Sequence, residues 1–384
     1  METLPPLSLY VHFPWCVAKC PYCDFNSHSL RGELPAQEYV DALITDLGRV
    51  DTVFFERPLV SIFLGGGTPS LFPPNEMVRL LDAVAVRFDF APSIEITMEA
   101  NPGAIEHASF GGYRAAGINR LSLGVQSFSD SKLRALGRIH DSSAAHTAFT
   151  EARAAGFTNI NLDLMFALPE QSVTEALSDI ATALALEPEH LSYYHLTLEP
   201  NTVFYNQPPS LPDSDLAWEI QHTGAERLRL AGYGNYEVSA WAQPGRECQH
   251  NLNYWRYGDY LGLGAGAHGK LSGHGGAVFR ETRVSHPREY LKRLQSGEVP
   301  FHRADVSEKD RAFEFMLNTL RLKSGFALTD FERQTGLPAH LLEAGLEEAM
   351  QKQLLVESGK GYLQPTEQGW RFLDDLQGIF LPTD

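Results

Sequence analysis

Six short apolar runs rich in β-forming residues fall within the first two hundred residues of this 384-residue chain, and helix-length spacers separate most of them. No other feature constrains the fold as tightly. The runs are LSLYVHF (7–13), LVSIFLG (59–65), IEITMEA (94–100), INRLSLGV (118–125), NINLDLMFA (159–167) and LSYYHLTL (191–198). Between them, EYVDALITDLGRV, EMVRLLDAVAVRF and VTEALSDIATALALE place apolar residues at helical spacing. Strand, helix and strand in series predict a parallel sheet with right-handed crossovers. Six such units predict an α/β fold, a partial or closed (β/α)6 barrel, with an open doubly wound sheet as the alternative. The placement of the unusual polar residues favours a barrel. Cysteines, GGGTP (65–69), EANPG (99–103) and GVQSF (124–128) all follow strand C-terminal ends, where barrels of this kind build their sites.

The texture changes near residue 201. A helix around Leu216–Leu230 leads into YEVSAWA, then CQHNLNYWRYGDY and the glycine-rich LGLGAGAHG. Residues 301–384 read as a smaller α+β, winged-helix-like domain, with helical patterns at 307–322, 328–335 and 338–353 before the hairpin-like LLVESGKGYLQPT. The expected units are therefore 1–240 (barrel), 241–300 (connecting region) and 301–384 (C-terminal domain). Winged helices often bind DNA, but this one carries 9 Lys+Arg against 14 Asp+Glu. The whole chain has a formal net charge of −17. Phosphate binding needs a basic face, so a nucleic-acid partner is not expected. That leaves the C-terminal domain as a candidate for covering the barrel mouth or docking another protein.

Three of the four cysteines, Cys16, Cys20 and Cys23, fall in WCVAKCPYCDF, and the fourth, Cys248, is remote. So few cysteines make no disulfide scaffold and suit a reducing cytoplasm. The N-terminus lacks the pattern of a secretory signal, and no apolar stretch is long enough to span a bilayer. Three clustered thiols could bind zinc, hold an iron–sulfur cluster, do thiol chemistry, or simply be buried. Structural zinc wants four ligands. A cubane has four irons, and three cysteines leave one iron open.

CxxxCxxC after the first strand, followed by Gly65-Gly66-Gly67-Thr68-Pro69 after the second, resembles the radical S-adenosylmethionine (SAM) superfamily. The resemblance implies a [4Fe–4S] cluster on Cys16, Cys20 and Cys23, with SAM chelating the open iron. Along the whole chain the sequence is similar to one subgroup: the oxygen-independent coproporphyrinogen III dehydrogenases and the related haem chaperones. Carried over position by position, it implies SAM contacts at Tyr10, Tyr22, Gly66, Gly67, Thr68, Glu99, Gln126, Arg138 and Asp163. Their chemistry suits the task, since carboxylates and amides can bind ribose hydroxyls or an ammonium. Each one alone could equally be a helix cap or a salt-bridge partner.

Two positions separate enzyme from carrier within that subgroup. The dehydrogenases continue the motif as CxxxCxxCxC, whereas Phe25 stands at the last of those places here. This argues against coproporphyrinogen decarboxylation. HNLNYW (250–255) matches the HNxxYW signature of the haem chaperones, which implies His250 as an axial ligand to haem iron. His12, His140, His195 and His268 carry no haem role in this reading. The expected protein is cytoplasmic, binds haem and passes it to an acceptor protein, without membrane insertion.

Overall fold

The six apolar runs are strands: β1 (Leu7–Phe13), β2 (Leu59–Gly66), β3 (Phe90–Ala100), β4 (Arg120–Gln126), β5 (Ile160–Phe166) and β6 (His190–His195). They belong to a computed structural model that describes residues 4–104, 109–273, 276–359 and 361–382. Helices α1 (Ala36–Leu47), α2 (Pro74–Ala85), α3 (Ser109–Ala115), α4 (Ser142–Ala154) and α5 (Val173–Ala185) make the crossovers. Their starts are fixed locally where the sequence allows it. Asp141 caps α4 through the Ala144 N–H, and Ser172 with Glu175 forms a capping box on α5. Helix α6 (Ser214–Leu230) then covers α5.

All six strands pair in parallel and in chain order. A further strand, β7 (Asp259–Leu263), pairs in parallel with β1. Antiparallel strands extend both sides, His268–Ser272 beside β7 and Ala240–Ala242 beside β6, giving a twelve-stranded sheet with two edges. The barrel is therefore partial. Residues 241–300 supply β7 and part of the main core through Leu261, Leu263 and Tyr290.

Alternation within the strands explains why the curl is stable. One set of side chains, such as Leu7, Leu9, Val11, Leu121, Leu123, Ile160 and Leu162, is buried under the helices in a single large core. The other set faces the barrel axis and is largely polar. Ser8, Ser61, Glu95, Thr97, Arg120, Ser122, Asn161, His190 and Ser192 are all buried there. Period-two geometry separates the two chemistries on every strand.

The C-terminal residues form their own core around Phe315, Phe326, Phe331 and Leu363. Helices Glu308–Thr319, Leu328–Thr335 and Glu343–Gln351 pack with a three-stranded sheet of Phe326–Ala327, Tyr362–Pro365 and Leu355–Glu357. The helices and the β-wing are those expected, although Lys360 in the turn lies outside the described residues. Placement is where expectation and structure part. Tyr257, just before β7, belongs to the C-terminal core, and the Lys323 N–H donates to the Tyr236 carbonyl at 3.0 Å. Tyr236 in turn contacts His190, the first residue of β6. The domain thus sits at the strand N-terminal end and does not cover the mouth. Among the described residues, no helix is long and apolar enough to cross a membrane.

Candidate cofactor site

The loop after β1 is folded back and fastened. His28 N–H donates to the Pro14 carbonyl at 2.7 Å and Leu30 N–H to that of Cys16 at 2.8 Å. The Asn26 side chain reaches the carbonyls of Ala265 and Ser285 at 3.0 and 2.9 Å, tying the loop to the segment after β7. Cys16, Cys20 and Cys23 emerge half-buried and line one cavity of about 470 Å³. An Arg138 N–H reaches Cys20 Sγ at 3.5 Å, and Cys23 Sγ lies 3.7 Å from Ser27 Oγ. Burial pushes the Cys16 and Cys23 thiols up, with the Thr68 and Ser27 hydroxyls respectively opposing it. Among the described residues no three metal-ligating groups converge on a single-ion point. A cubane does not require that, because each thiolate takes a different corner.

The turn after β2 is built against the same loop. Gly67 N–H donates to Phe13 O, and Thr68 N–H to Trp15 O, each at 2.7 Å. A Cβ on Gly67 would lie 2.5 Å from the Trp15 carbonyl oxygen, so only glycine fits. Gly66, at φ +111°, aims its N–H at Glu99 Oε2, 3.0 Å away. Glu99 is pushed up to about 8, first by burial and then by the neighbouring Asp163, while the Gly66 N–H pulls it down. Burial also raises Asp163, against hydrogen bonds from Asn161, Ser192 and Ser122. Neither carboxyl forms an ion pair among the described residues. Two half-buried acids facing one cavity have the chemistry to hold a cationic ligand.

Gln126 and Arg138 complete the wall. Gln126 ends β4 at φ +69°, where the β4–β5 register shifts. A left-handed non-glycine costs about 1 kcal/mol, so the fold spends stability to aim this amide. Arg138 anchors itself on the Gly124 carbonyl at 2.6 Å, and its buried Nε has no hydrogen-bond partner among the described residues. Of the residues expected around SAM, Tyr22, Gly66, Gly67, Thr68, Glu99, Gln126, Arg138 and Asp163 line this cavity with the three cysteines. Tyr10 does not. Its hydroxyl is 2.9 Å from His12 Nδ1, and its ring packs beside Phe63, deeper in the barrel. Sequence reasoning also missed the lower wall, made by Arg120, Ser122, Asn161, His190 and Ser192. Its signal was present as polar residues at every second strand position.

His250 lies apart from that cavity. It lies on α7 (Gln249–Trp255), which packs under the open lower end of the barrel. The ring is 3% exposed and absent from the cavity wall. Nδ1 is 2.9 Å from Ser61 Oγ, while Phe63 and Tyr254 crowd the ring at 5.0 and 5.1 Å. Burial, with the Arg120 charge, pushes it down to about 3. Its Nε2 is buried with no hydrogen-bond partner among the described residues. Its neighbours in HNLNYW also make tertiary contacts, although Trp255 Nε1 is buried with no hydrogen-bond partner among the described residues. Asn253 donates to Ser8 Oγ and the Asp259 carbonyl, Tyr254 stacks on Tyr260 at 4.0 Å, and Arg321 lies over Trp255 at 4.3 Å. The segment is a plug that joins barrel to C-terminal domain.

Residues 10–182 match the radical SAM superfamily, and 306–372 match the HemN C-terminal domain. Heme chaperone HemW of Escherichia coli (strain K12) is 48% identical over 381 residues, 99% of this chain and 100% of the relative. The chain belongs to the HemW family of haem chaperones. Its Haemophilus influenzae relative is 46% identical, with 99% of each chain covered, and that of Bacillus subtilis 33%, covering 97% and 99%. The fold is shared with coproporphyrinogen III oxidase (HemN) from Escherichia coli, a radical SAM enzyme: TM-score 0.82 at 24% identity, over 98% of this chain and 90% of that one.

Proposed function

We propose that this chain binds haem and transfers it to an acceptor protein, and that it holds a [4Fe–4S] cluster and SAM. Full-length similarity to HemW haem chaperones on both sides of the barrel–C-terminal junction carries the reading. Cys16, Cys20 and Cys23 would hold the cluster, and the chemistry of the surrounding wall fits SAM. Glu99 and Asp163 offer carboxylates to a cation and to hydroxyls, Gln126 an amide, and the Gly66–Gly67 turn exposed backbone. Bound together, cluster and SAM supply one-electron chemistry at the cavity. Phe25, 58% exposed at the rim, leaves the mouth without a further thiol.

Purified, anaerobically reconstituted protein should give a Soret band when titrated with haem and should not convert coproporphyrinogen III. Haem should then pass to an apo-haemoprotein on mixing. Robust decarboxylation of coproporphyrinogen III without haem binding would reverse the assignment.

A further inference from the structure

The floor of the barrel chamber holds a cation whose hydrogen-bond donors the fold leaves idle. We propose that Arg120 binds the carboxylate of a second ligand of this chamber, one that lies beneath the place proposed for SAM.

Arg120 opens β4 and is 2% exposed, yet it lines the same cavity as the cysteines. None of its N–H groups makes a hydrogen bond among the described residues. The Glu95 carboxylate stands 3.8 Å from its Nε, too far for one. Glu95 accepts instead from the Cys248 thiol at 3.4 Å and from the His250 N–H at 3.2 Å. It therefore balances the charge of Arg120 without using its donors. The neighbouring Asn161, His190 and Ser192 are bonded among themselves. Elsewhere in the chain a buried guanidinium is satisfied, as Arg283 is by Asp46 and Glu281. A buried guanidinium without hydrogen bonds costs stability that a ligand can return.

The chemistry of the partner follows from the donors. A guanidinium offers parallel N–H groups in a planar fork, and the planar pair of oxygens on a carboxylate matches it. A phosphate dianion would meet Glu95, Glu99 and Asp163 as well. A carboxylate brings a single charge, which a cation held by Glu99 and Asp163 offsets. The carboxylate of SAM itself is badly placed. SAM chelating the open iron is anchored beside the cysteines, whereas Arg120 lies at the other end of β4, about 20 Å of strand below Gln126. Two sources carry the required group, a small organic acid and the carboxylate edge of haem. The second of these rests on the haem reading above.

The test uses full-length, cluster-loaded protein with SAM present. Propionate and propionamide are titrated as probes and read by saturation-transfer NMR, and haem and its dimethyl ester are titrated in parallel by Soret absorbance. One member of a pair should bind about tenfold more tightly than its uncharged counterpart, and the pair that shows this identifies the source. Arg120→Gln combined with Glu95→Gln removes both charges together and should abolish the preference. Arg120→Lys should reduce it severalfold, and it decides the matter alone if the double variant does not fold. SAM affinity should stay within about twofold in Arg120→Lys. No preference in either pair, or a preference unchanged in these variants, overturns the proposal. Loss of SAM binding in Arg120→Lys also overturns it, by making Arg120 a SAM contact. Absence of any haem binding overturns the carrier reading, while the propionate pair still decides this one.

Discussion

The Arg321 guanidinium lies 4.3 Å from the centre of the Trp255 ring and 3.7 Å from the Glu237 carboxylate. One cation thereby links the C-terminal domain to both the barrel plug and the segment just before the strand Ala240–Ala242. Arg321→Ala should cost about 0.5–1 kcal/mol, the worth of a cation–π contact at a partly exposed position. Amide exchange in Glu308–Thr319 should quicken while iron per chain stays constant. Loss of iron would show that the domain controls the distant cysteine loop.

Cys248 differs from the other three cysteines in kind. It is buried, it donates to Glu95 Oε1 at 3.4 Å, and burial pushes it up to about 12. It remains a thiol at neutral pH and is a poor ligand and nucleophile. Cys248→Ala should retain full iron and sulfide after reconstitution, whereas alanine at Cys16, Cys20 or Cys23 should abolish most cluster absorbance. A cluster at native yield in any of those three variants would contradict the ligand set.

Glu99 ties stability to pH. Its folded pKa of about 8 lies above its ordinary 4.5, so between those values the folded chain keeps a proton that the unfolded chain has released. Stability of the cofactor-free protein should therefore fall as pH rises through that window. A cationic ligand favours the ionised carboxylate, so SAM should bind more tightly as pH rises toward 8. Denaturant melts and SAM titrations should both lose this slope in Glu99→Gln. An unchanged slope in that variant removes Glu99 from the cation site.

His250 acts with the opposite sign. Its folded pKa of about 3 is below its ordinary 6.5, so the unfolded chain takes up a proton first on acidification. Stability should fall as pH drops from 6.5 toward 3. His250→Ala should remove that contribution and cost about 2–3 kcal/mol near neutrality, through the lost contact with Ser61 and the cavity left among Tyr10, Phe63 and Tyr254. Thermal melts across that pH range check both effects.

The strands and the cluster loop were legible because they are local patterns. LSLYVHF alternates, and CxxxCxxC is contiguous. Glu99, Gln126 and Asp163 were named through the family resemblance, and all three line the cavity. The depth of His250 was not legible, because a motif gives composition without burial. Its burial depends on α7 closing beneath Ser61, a contact 189 residues away in the chain. The seat of the C-terminal domain was hidden for the same reason, since Trp255–Arg321 and Tyr236–Lys323 are tertiary meetings between segments with no shared pattern.

The polar axis of the barrel has a consequence for its history. Hydrocarbon packing lies almost wholly outside the strands, between Leu9, Leu121 or Ile160 and the helices. Inward positions such as Ser122, Asn161 and Ser192 are held by hydrogen bonds to one another and to Asp163. Exchanging them rewires partners and removes little packed volume. The chamber can thus be refurnished for a new occupant while the walls are inherited unchanged, and a catalyst and a carrier can descend from one architecture.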